Sequence, residues 1–565
     1  MFLALEICLT AISVALASTC APNWDGLLGP GIRGFTGLAK RKKTAVAAVG
    51  LAAIAIRLAL LPLLPIPAPD IHDEFSYLLL ADTVAHGRLA NPTHPMWVHF
   101  ETFHVNWRPT YASMYFPGQG LFLALGQVVL GNPFWGVVLS CGLMCSAVCW
   151  ALQGWMPETW ALAGGVLAVL RLGTLSYWAD SYWGGAVAAL GGALVLGAFP
   201  RIRTSAAPRD ALLLGAGMVL IALTRPFEGI FFCLPIAIGL AVWALRQDAY
   251  PGKLLLWRVG VPAGLTLALG AAWLGFYFSR VSGSPFRTPY QVNVGAYGLI
   301  YFLWERTRSV APFHHLMMQR FYGSVSLLTY NFAHRHPLQL QGAKILVVWL
   351  FYFGPLLTAP WLAWLFLRPG RGFRGALTPE VRFLLIVCAS AYLSGAFTIY
   401  AGQPHYVAPF VAAFYTLTLL IMRDLNGTRP GRCLVRSVAI MAAILFLTVT
   451  VADIGRFGPK PMWARMWCTP QFENRARARV LEELEQTPGK HLVIVRYRPD
   501  HDFAYDEWVF NGADIDRSKV VFARDMGAAN RELMDYFKGR QVWFAEPDSP
   551  IKLLPYQPAI PSAGL

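Results

Sequence analysis

KRKKTAVAAVGLAAIAIRLALLPLLPIPAPDIHDEFSYLLLADTVAHGR, residues 40 to 88, sets a basic run against an apolar one and closes the apolar one with acids. After the four basic residues come about 20 positions that are apolar apart from Arg57, the length a helix needs to cross a bilayer core. The run leaves through prolines, and Asp73 and Glu74 follow within a few residues of that exit. Acids at the rim of a membrane are costly to keep without a use. A helix starting here, FSYLLLADTVAHG, would take Asp73 as its N-cap and Glu74 beside the positive end of its dipole. The alternative is chemistry, and then only one of the pair acts in a given cavity, because neighbouring helical residues point about 100° apart.

Working outward, ten further apolar stretches follow the first, at about 132 to 155, 160 to 176, 182 to 199, 211 to 224, 229 to 245, 258 to 278, 342 to 367, 383 to 400, 405 to 422 and 435 to 452. Only 14% of the 565 residues are charged and 56% are hydrophobic, against about 25% charged in ordinary soluble domains. That composition excludes a soluble enzyme and a disordered scaffold. The net charge of +16 does not mark a nucleic-acid partner, since residues 454 to 565 carry 16 basic and 15 acidic side chains and the excess lies between apolar stretches. Its clusters are Lys40 to Lys43; Arg201, Arg203 and Arg209; Arg246, Lys253 and Arg258; Arg368, Arg371, Arg374 and Arg382; and Arg423, Arg429, Arg432 and Arg436. With the first cluster cytoplasmic, all the others fall on the same side, as the positive-inside rule requires. The long loops 67 to 131 and 279 to 341, the tail from 453, and all twelve His then face out of the cytoplasm.

The expected fold is an all-α multi-pass transmembrane bundle of about 11 to 12 helices in the cell (inner) membrane, spanning 44 to 452, with a small C-terminal α/β extracytoplasmic domain over 453 to 565. HLVIVRY at 491 to 497, KVVFA at 519 to 523 and QVWFA at 541 to 545 read as buried strands, and 474 to 486 and 528 to 538 as helices. This tail has no Gly-rich phosphate loop and reads as a stabilising or acceptor-recognition cap. Residues 1 to 43 open with an apolar run interrupted by Glu6: an extra helix, a cleaved signal, or a start placed too early.

A DE pair just after the first transmembrane helix, a short helix, and a YPPG-like turn leading into the next helix resemble the GT-C superfamily of membrane glycosyltransferases. That group includes protein O-mannosyltransferases, lipid A aminoarabinose transferases and RgtA/B/C/D-like bacterial enzymes. The matching residues are Asp73, Glu74 and YFPGQG at 115 to 120, with Phe116 where a second Pro is common; HYVAPF at 405 to 410 is similar to the start of a late helix in that group. The resemblance implies a polyprenyl-phosphate-linked sugar donor and transfer with inversion on the exported face, to a glycan, lipid or protein acceptor. Asp73 would be the base that takes the acceptor's proton, and Glu74 would support it or touch the sugar.

The leaving phosphate would need a cation at interface depth. Arg57 and Arg225 are the candidates, against snorkelling for Arg57 and a local ion pair to Glu228 for Arg225. Glu228, Arg287, His405 and Tyr406 are further substrate-binding candidates by position. Asp180, in SYWADSYWGG, is a substrate-binding candidate whose aromatic neighbours could stack on a sugar or form an interfacial belt. No cofactor is expected. The loop histidines His86, His94, His99 and His104 lack the i, i+3 or i, i+4 spacing of a helical metal site, although a divalent metal stays open. Cys141, Cys145 and Cys149 share one helix face, where small residues let helices approach closely or could serve a metal or redox role. Two other classes stay open: a polytopic transporter or lipid-linked-sugar flippase, and a non-enzymatic assembly factor acting through the tail.

Overall fold

The computed structural model describes residues 2–19, 24–307, 310, 312–367, 377–400, 402–455, 475–502, 506–550 and 553–557. Among the described residues nine helices are long and apolar enough to cross a membrane, and a bent pair makes a tenth. They are Phe2–Thr19, Lys42–Leu60, Phe134–Leu152, Ala186–Ser205, Pro226–Arg246, Gly252–Ser282, Pro379–Ala396, Pro404–Leu425 and Arg429–Ala452. The chain is a multi-pass helical membrane bundle with a small α/β unit at its C-terminal end, as its sequence leads one to expect. Arg368, Arg371, Arg374 and the start of the tail at 456–474 lie outside the described residues.

Two expected spans are shorter than a bilayer needs. The 160 to 176 stretch is the helix Glu158–Ala168 continued by a π turn over Val169–Gly173. The 211 to 224 stretch is a 15-residue helix, Pro208–Ala222, that stops before the proline opening its successor at Pro226. The expected span 342 to 367 is two helices, Pro337–Tyr352 and Gly354–Phe366, bent by 96°. Gly354 has φ 59°, a left-handed conformation that glycine adopts without penalty, and Pro355 after it has no N–H to continue the ladder. The carbonyls of Leu350 and Phe351 beside the break accept hydrogen bonds from Arg171, each at 2.9 Å. Arg171 also meets Glu6 at 3.2 Å. Glu6 is buried, and Phe2–Thr19 packs against the Gly354–Leu367 and Arg429–Gly455 helices. The first apolar run is a helix packed against the bundle.

Close helix contacts rest on small residues, because in lipid the packing of side chains, rather than escape from water, holds helices together. The Cys face of Phe134–Leu152 is one such seam. A Cβ built on Gly165 would lie 2.8 Å from Cys149 Cβ, and one on Gly173 would lie 2.6 Å from Cys145 Sγ.

At one end of the bundle the basic clusters meet their partners: Lys42 pairs with Glu158 at 3.1 Å, and Arg201 donates to the Trp150 carbonyl at 2.7 Å. The long loops gather at the other end. There the helix His72–Ala85, hereafter the loop helix, packs beside a short hairpin pairing Val105–Asn106 with Ala112–Ser113. The tail lies over them as a four-stranded sheet in the order Val520–Arg524, His491–Val495, Gln541–Ala545, Leu554–Pro555, the first three strands parallel. All three strands expected from the tail sequence are present, with helix Arg475–Gln486 ahead of the first and helix Asn530–Tyr536 ahead of the third.

Candidate active site

The loop helix begins at His72, two residues earlier than an Asp73 cap would require, with Ile71 at the N-cap position and no side-chain cap from Asp73. Glu74 does the capping. Its Oε2 accepts from the backbone N–H groups of Asp70 (3.0 Å) and Ile71 (3.2 Å), the reach-back of a capping box. Its Oε1 accepts from the Tyr182 N–H at 3.0 Å, which ties the loop helix to the 177–183 segment. Burial raises the Glu74 carboxyl to about 7, opposed by these three N–H donors and helped by the charge of Asp73. With its oxygens committed to backbone, Glu74 is a structural latch and does not line the cavity next to it.

That cavity, of about 1060 Å³, opens between the loop helix, the Arg225–Glu228 junction and the 286–305 segment. Asp73, Arg225, Glu228, Arg287, His405 and Tyr406 all line it. Residues more than 300 positions apart thus meet at one site. The Asp73 side chain is 19% exposed, through the cavity. Tyr115, from the YFPGQG turn, donates to its Oδ1. His72 Nδ1 lies 3.1 Å from Oδ2, and His104 Nε2 lies 4.0 Å away. Burial alone would raise the Asp73 carboxyl, but the His72 contact, the His104 imidazole and the Tyr115 hydroxyl outweigh it and hold the carboxyl well below the usual range. Asp73 is an ionised acceptor at neutral pH.

His104 has no metal-site spacing to the other loop histidines and His72 carries no signal of its own in the sequence; the fold brings their rings to 4.5 Å. His104 sits at φ 57°, a conformation costly for a residue with a Cβ and often kept where a site requires it. Three hydrogen bonds hold it there: its N–H donates to Tyr322 Oη (2.8 Å), and its carbonyl accepts from Ser76 Oγ (2.7 Å) and the Met114 N–H (3.0 Å). Burial, with His72 alongside, lowers the His104 imidazole to about 3, so the ring is neutral. Ligand atoms of His72, Asp73 and His104 lie within 4.8 Å of one another, close enough to share a cation. Two imidazoles and a carboxylate are a donor set suited to zinc or a similar transition metal.

Arg225, at the N-cap position of Pro226–Arg246, faces the cavity with its guanidinium 4.7 Å from the Tyr406 ring centroid. The expected local pair to Glu228 is not formed: among the described residues no carboxylate lies within 4.0 Å of Arg225. His405 Nδ1 is 2.7 Å from Tyr177 Oη, which also accepts from the His405 N–H at 3.2 Å, so HYVAPF is anchored to SYWADSYWGG.

Arg57 and Asp180 do not line the cavity. They form a buried ion pair at 2.7 Å, and Arg57 also donates to the Leu64 carbonyl at 2.9 Å. Arg57 therefore neither snorkels nor faces this cavity. Tyr177, Trp178 and Tyr182 around Asp180 are buried in the bundle, so they form neither an interfacial belt nor a sugar platform; only Trp183 reaches the cavity.

No protein-family model matches the chain, and no curated protein matches it. Among solved structures it is similar to ArnT from Cupriavidus metallidurans bound to undecaprenyl phosphate, with a TM-score of 0.47 and 14% identity over 88% of this chain and 92% of that one. It is also similar to the Archaeoglobus fulgidus oligosaccharyltransferase in the apo form, with a TM-score of 0.47 and 11% identity over 80% of this chain. There the match spans 62% of the archaeal chain.

Proposed function

We propose that this chain is an integral membrane glycosyltransferase that moves a sugar from a polyprenyl-phosphate donor to a hydroxyl acceptor, with inversion, on the extracytoplasmic face of the cell membrane. The observation that carries the reading is the joint presence in one cavity of an ionised, hydrogen-bonded Asp73 and an Arg225 guanidinium with no carboxylate within 4.0 Å among the described residues. Asp73 takes the proton of the acceptor hydroxyl as its oxygen bonds to the anomeric carbon. The bond from that carbon to the phosphate oxygen breaks, and the electron pair leaves with the phosphate, whose growing charge faces Arg225. One displacement from the face opposite the leaving group inverts the anomeric carbon. The aromatic lining, which includes Tyr290, Tyr301 and Trp183, suits the apolar faces of a sugar and the first isoprene units.

The test is mass spectrometry of the purified protein incubated with a polyprenyl-phosphate-sugar fraction and envelope glycans or glycolipids. The expected products are free polyprenyl phosphate and an acceptor heavier by one sugar. Movement of the carrier across proteoliposomes without any product would favour a flippase instead.

A second reading of the same carboxylate is favoured by the His72–Asp73–His104 cluster. These three residues would hold a divalent cation, which would supply positive charge beside the leaving phosphate, and Asp73 would then be a ligand. Metal analysis separates the two: in this reading His104→Ala loses bound zinc and a chelator abolishes transfer, whereas a metal-free base leaves the rate unchanged by chelation.

A further inference from the structure

The loop helix has two buried faces, and only one belongs to the membrane bundle. Asp73, Tyr77, Leu80 and Val84 recur at i, i+4, i+7 and i+11 and form the stripe toward the cavity and bundle. On this stripe Tyr77 stacks on Tyr115 at 4.4 Å, and Leu80 packs with Ala112, Tyr277 and Phe278. Phe75, Leu79 and Asp82 form the opposite stripe, because two residues of a helix turn it through about 200°. That second stripe is covered by the tail. Leu79 joins a core with Leu492, Ile494 and Val521 of the sheet, and Phe75 meets Phe510 at 4.8 Å.

The contact is organised by the segment 506–516, which runs the length of the loop helix. The Asp506 N–H donates to Asp70 Oδ1 at 3.3 Å ahead of the helix, and the Ala513 N–H donates to Asp82 Oδ2 at 2.7 Å near its end. A Cβ on Gly512 would lie 2.7 Å from Asp82 Oδ2, so the strap sits directly on the helix. Arg477 locks it from behind. Its buried guanidinium is 5.0 Å from the Phe75 ring centroid and 5.9 Å from that of Phe510, and it donates to the carbonyls of Trp508 (3.0 Å) and Phe510 (3.1 Å).

We propose that the C-terminal domain is a working part of the site: the 506–516 strap and Arg477 set the roll of the loop helix and so aim Asp73 into the cavity, which makes Phe510 and Arg477 positioning residues. A carboxylate about 5 to 6 Å from a helix axis moves about 1 Å for a roll of roughly 10°. A misplacement of about 1 Å can cost about 100-fold in rate. The inference rests on Asp73 being the reacting carboxylate, yet the roll itself is a property of the fold.

The experiment uses the full-length protein in detergent with three variants. Phe510→Ala removes the ring against Phe75, Gly512→Ala wedges the strap off Asp82 without touching the sheet core, and Phe510→Tyr keeps the ring. Deuterium uptake is followed in peptides covering 70 to 86, and sugar transfer from a polyprenyl-phosphate-sugar fraction is measured as kcat and KM. Phe510→Ala and Gly512→Ala are expected to speed uptake in 70 to 86 and lower kcat about tenfold or more, with KM for the donor within about twofold; Phe510→Tyr restores both. Unchanged uptake in both disruptive variants, or a raised KM at unchanged kcat, overturns the proposal. If the wild-type protein transfers no sugar, the functional reading fails, and uptake alone then decides whether the strap holds the helix.

Discussion

Arg57 and Asp180 lie 2.7 Å apart, and this one contact removes both from the substrate while explaining how each survives in a membrane bundle. Arg57 is 1% exposed, its guanidinium lies 4.8 Å from the Phe134 ring centroid, and it donates to the Leu64 carbonyl where the first span unwinds toward the loop helix. The pair pins the exit of that span to the 177–183 segment. Removing one partner leaves the other charge buried, which typically costs about 3–5 kcal/mol. Arg57→Met and Asp180→Asn are therefore expected to lower the unfolding temperature in detergent sharply, and the double variant to lose less than the sum of the two. Additive losses would show that the two side chains do not support each other.

Asp73→Asn keeps the size of the side chain and removes the proposed base. Transfer is expected to fall about 10²–10⁴-fold with the unfolding temperature nearly unchanged. Tyr115→Phe tests the same carboxylate more gently. Without the Tyr115 hydroxyl, one of the groups holding the carboxyl low is gone, so its pKa rises and the acid limb of the rate profile moves to higher pH. An unmoved limb would detach Tyr115 from the chemistry.

Glu74 carries a pH signature of stability rather than of rate. Burial raises its carboxyl from an ordinary 4.5 to about 7, so the folded protein holds this proton where the unfolded chain has released it. A raised folded pKa gives stability that is fully present below pH 4.5 and is lost as pH rises through 7. The unfolding temperature should therefore fall between pH 5 and pH 8 in the wild type, and Glu74→Gln should flatten that fall. The variant should also be less stable at low pH, because an amide nitrogen cannot accept from the N–H groups that Glu74 now serves. An unchanged slope in the variant would assign the pH dependence to another group.

Arg225 offers a binding measurement free of any assumption about the sugar. Farnesyl phosphate, a short prenyl phosphate, should quench tryptophan fluorescence through Trp183 and Trp304, which line the cavity. A charge-assisted hydrogen bond is worth about 1.5–3 kcal/mol, so Arg225→Ala should weaken this binding about 10- to 100-fold, with Arg225→Lys between. Equal affinity in the alanine variant would move the phosphate elsewhere in the cavity.

The bundle, its basic end and the strands of the tail were legible along the chain, because a bilayer demands long apolar helices and a sheet core demands short apolar strands, whatever lies next to them. Asp73 was legible for a related reason: an acid at the rim of a span is expensive, and a use for it can be sought. Which acid acts, and with which partners, was not written locally. Asp73 and Glu74 are neighbours of similar charge, and distant groups give them different surroundings: the Tyr182 N–H, 108 positions along the chain, on Glu74 and the Tyr115 hydroxyl on Asp73. His104 joins the site through a left-handed backbone that no spacing rule anticipates, and Arg57 leaves it because it pairs with Asp180. The break at Gly354 and the tail's hold on Phe75 belong to the same class. Periodicity reports which side chains must leave water, since that requirement acts on each residue separately. Charge pairing, capping and the roll of a helix are properties of pairs, and pairs separated by a hundred or more residues are chosen only when the whole bundle packs.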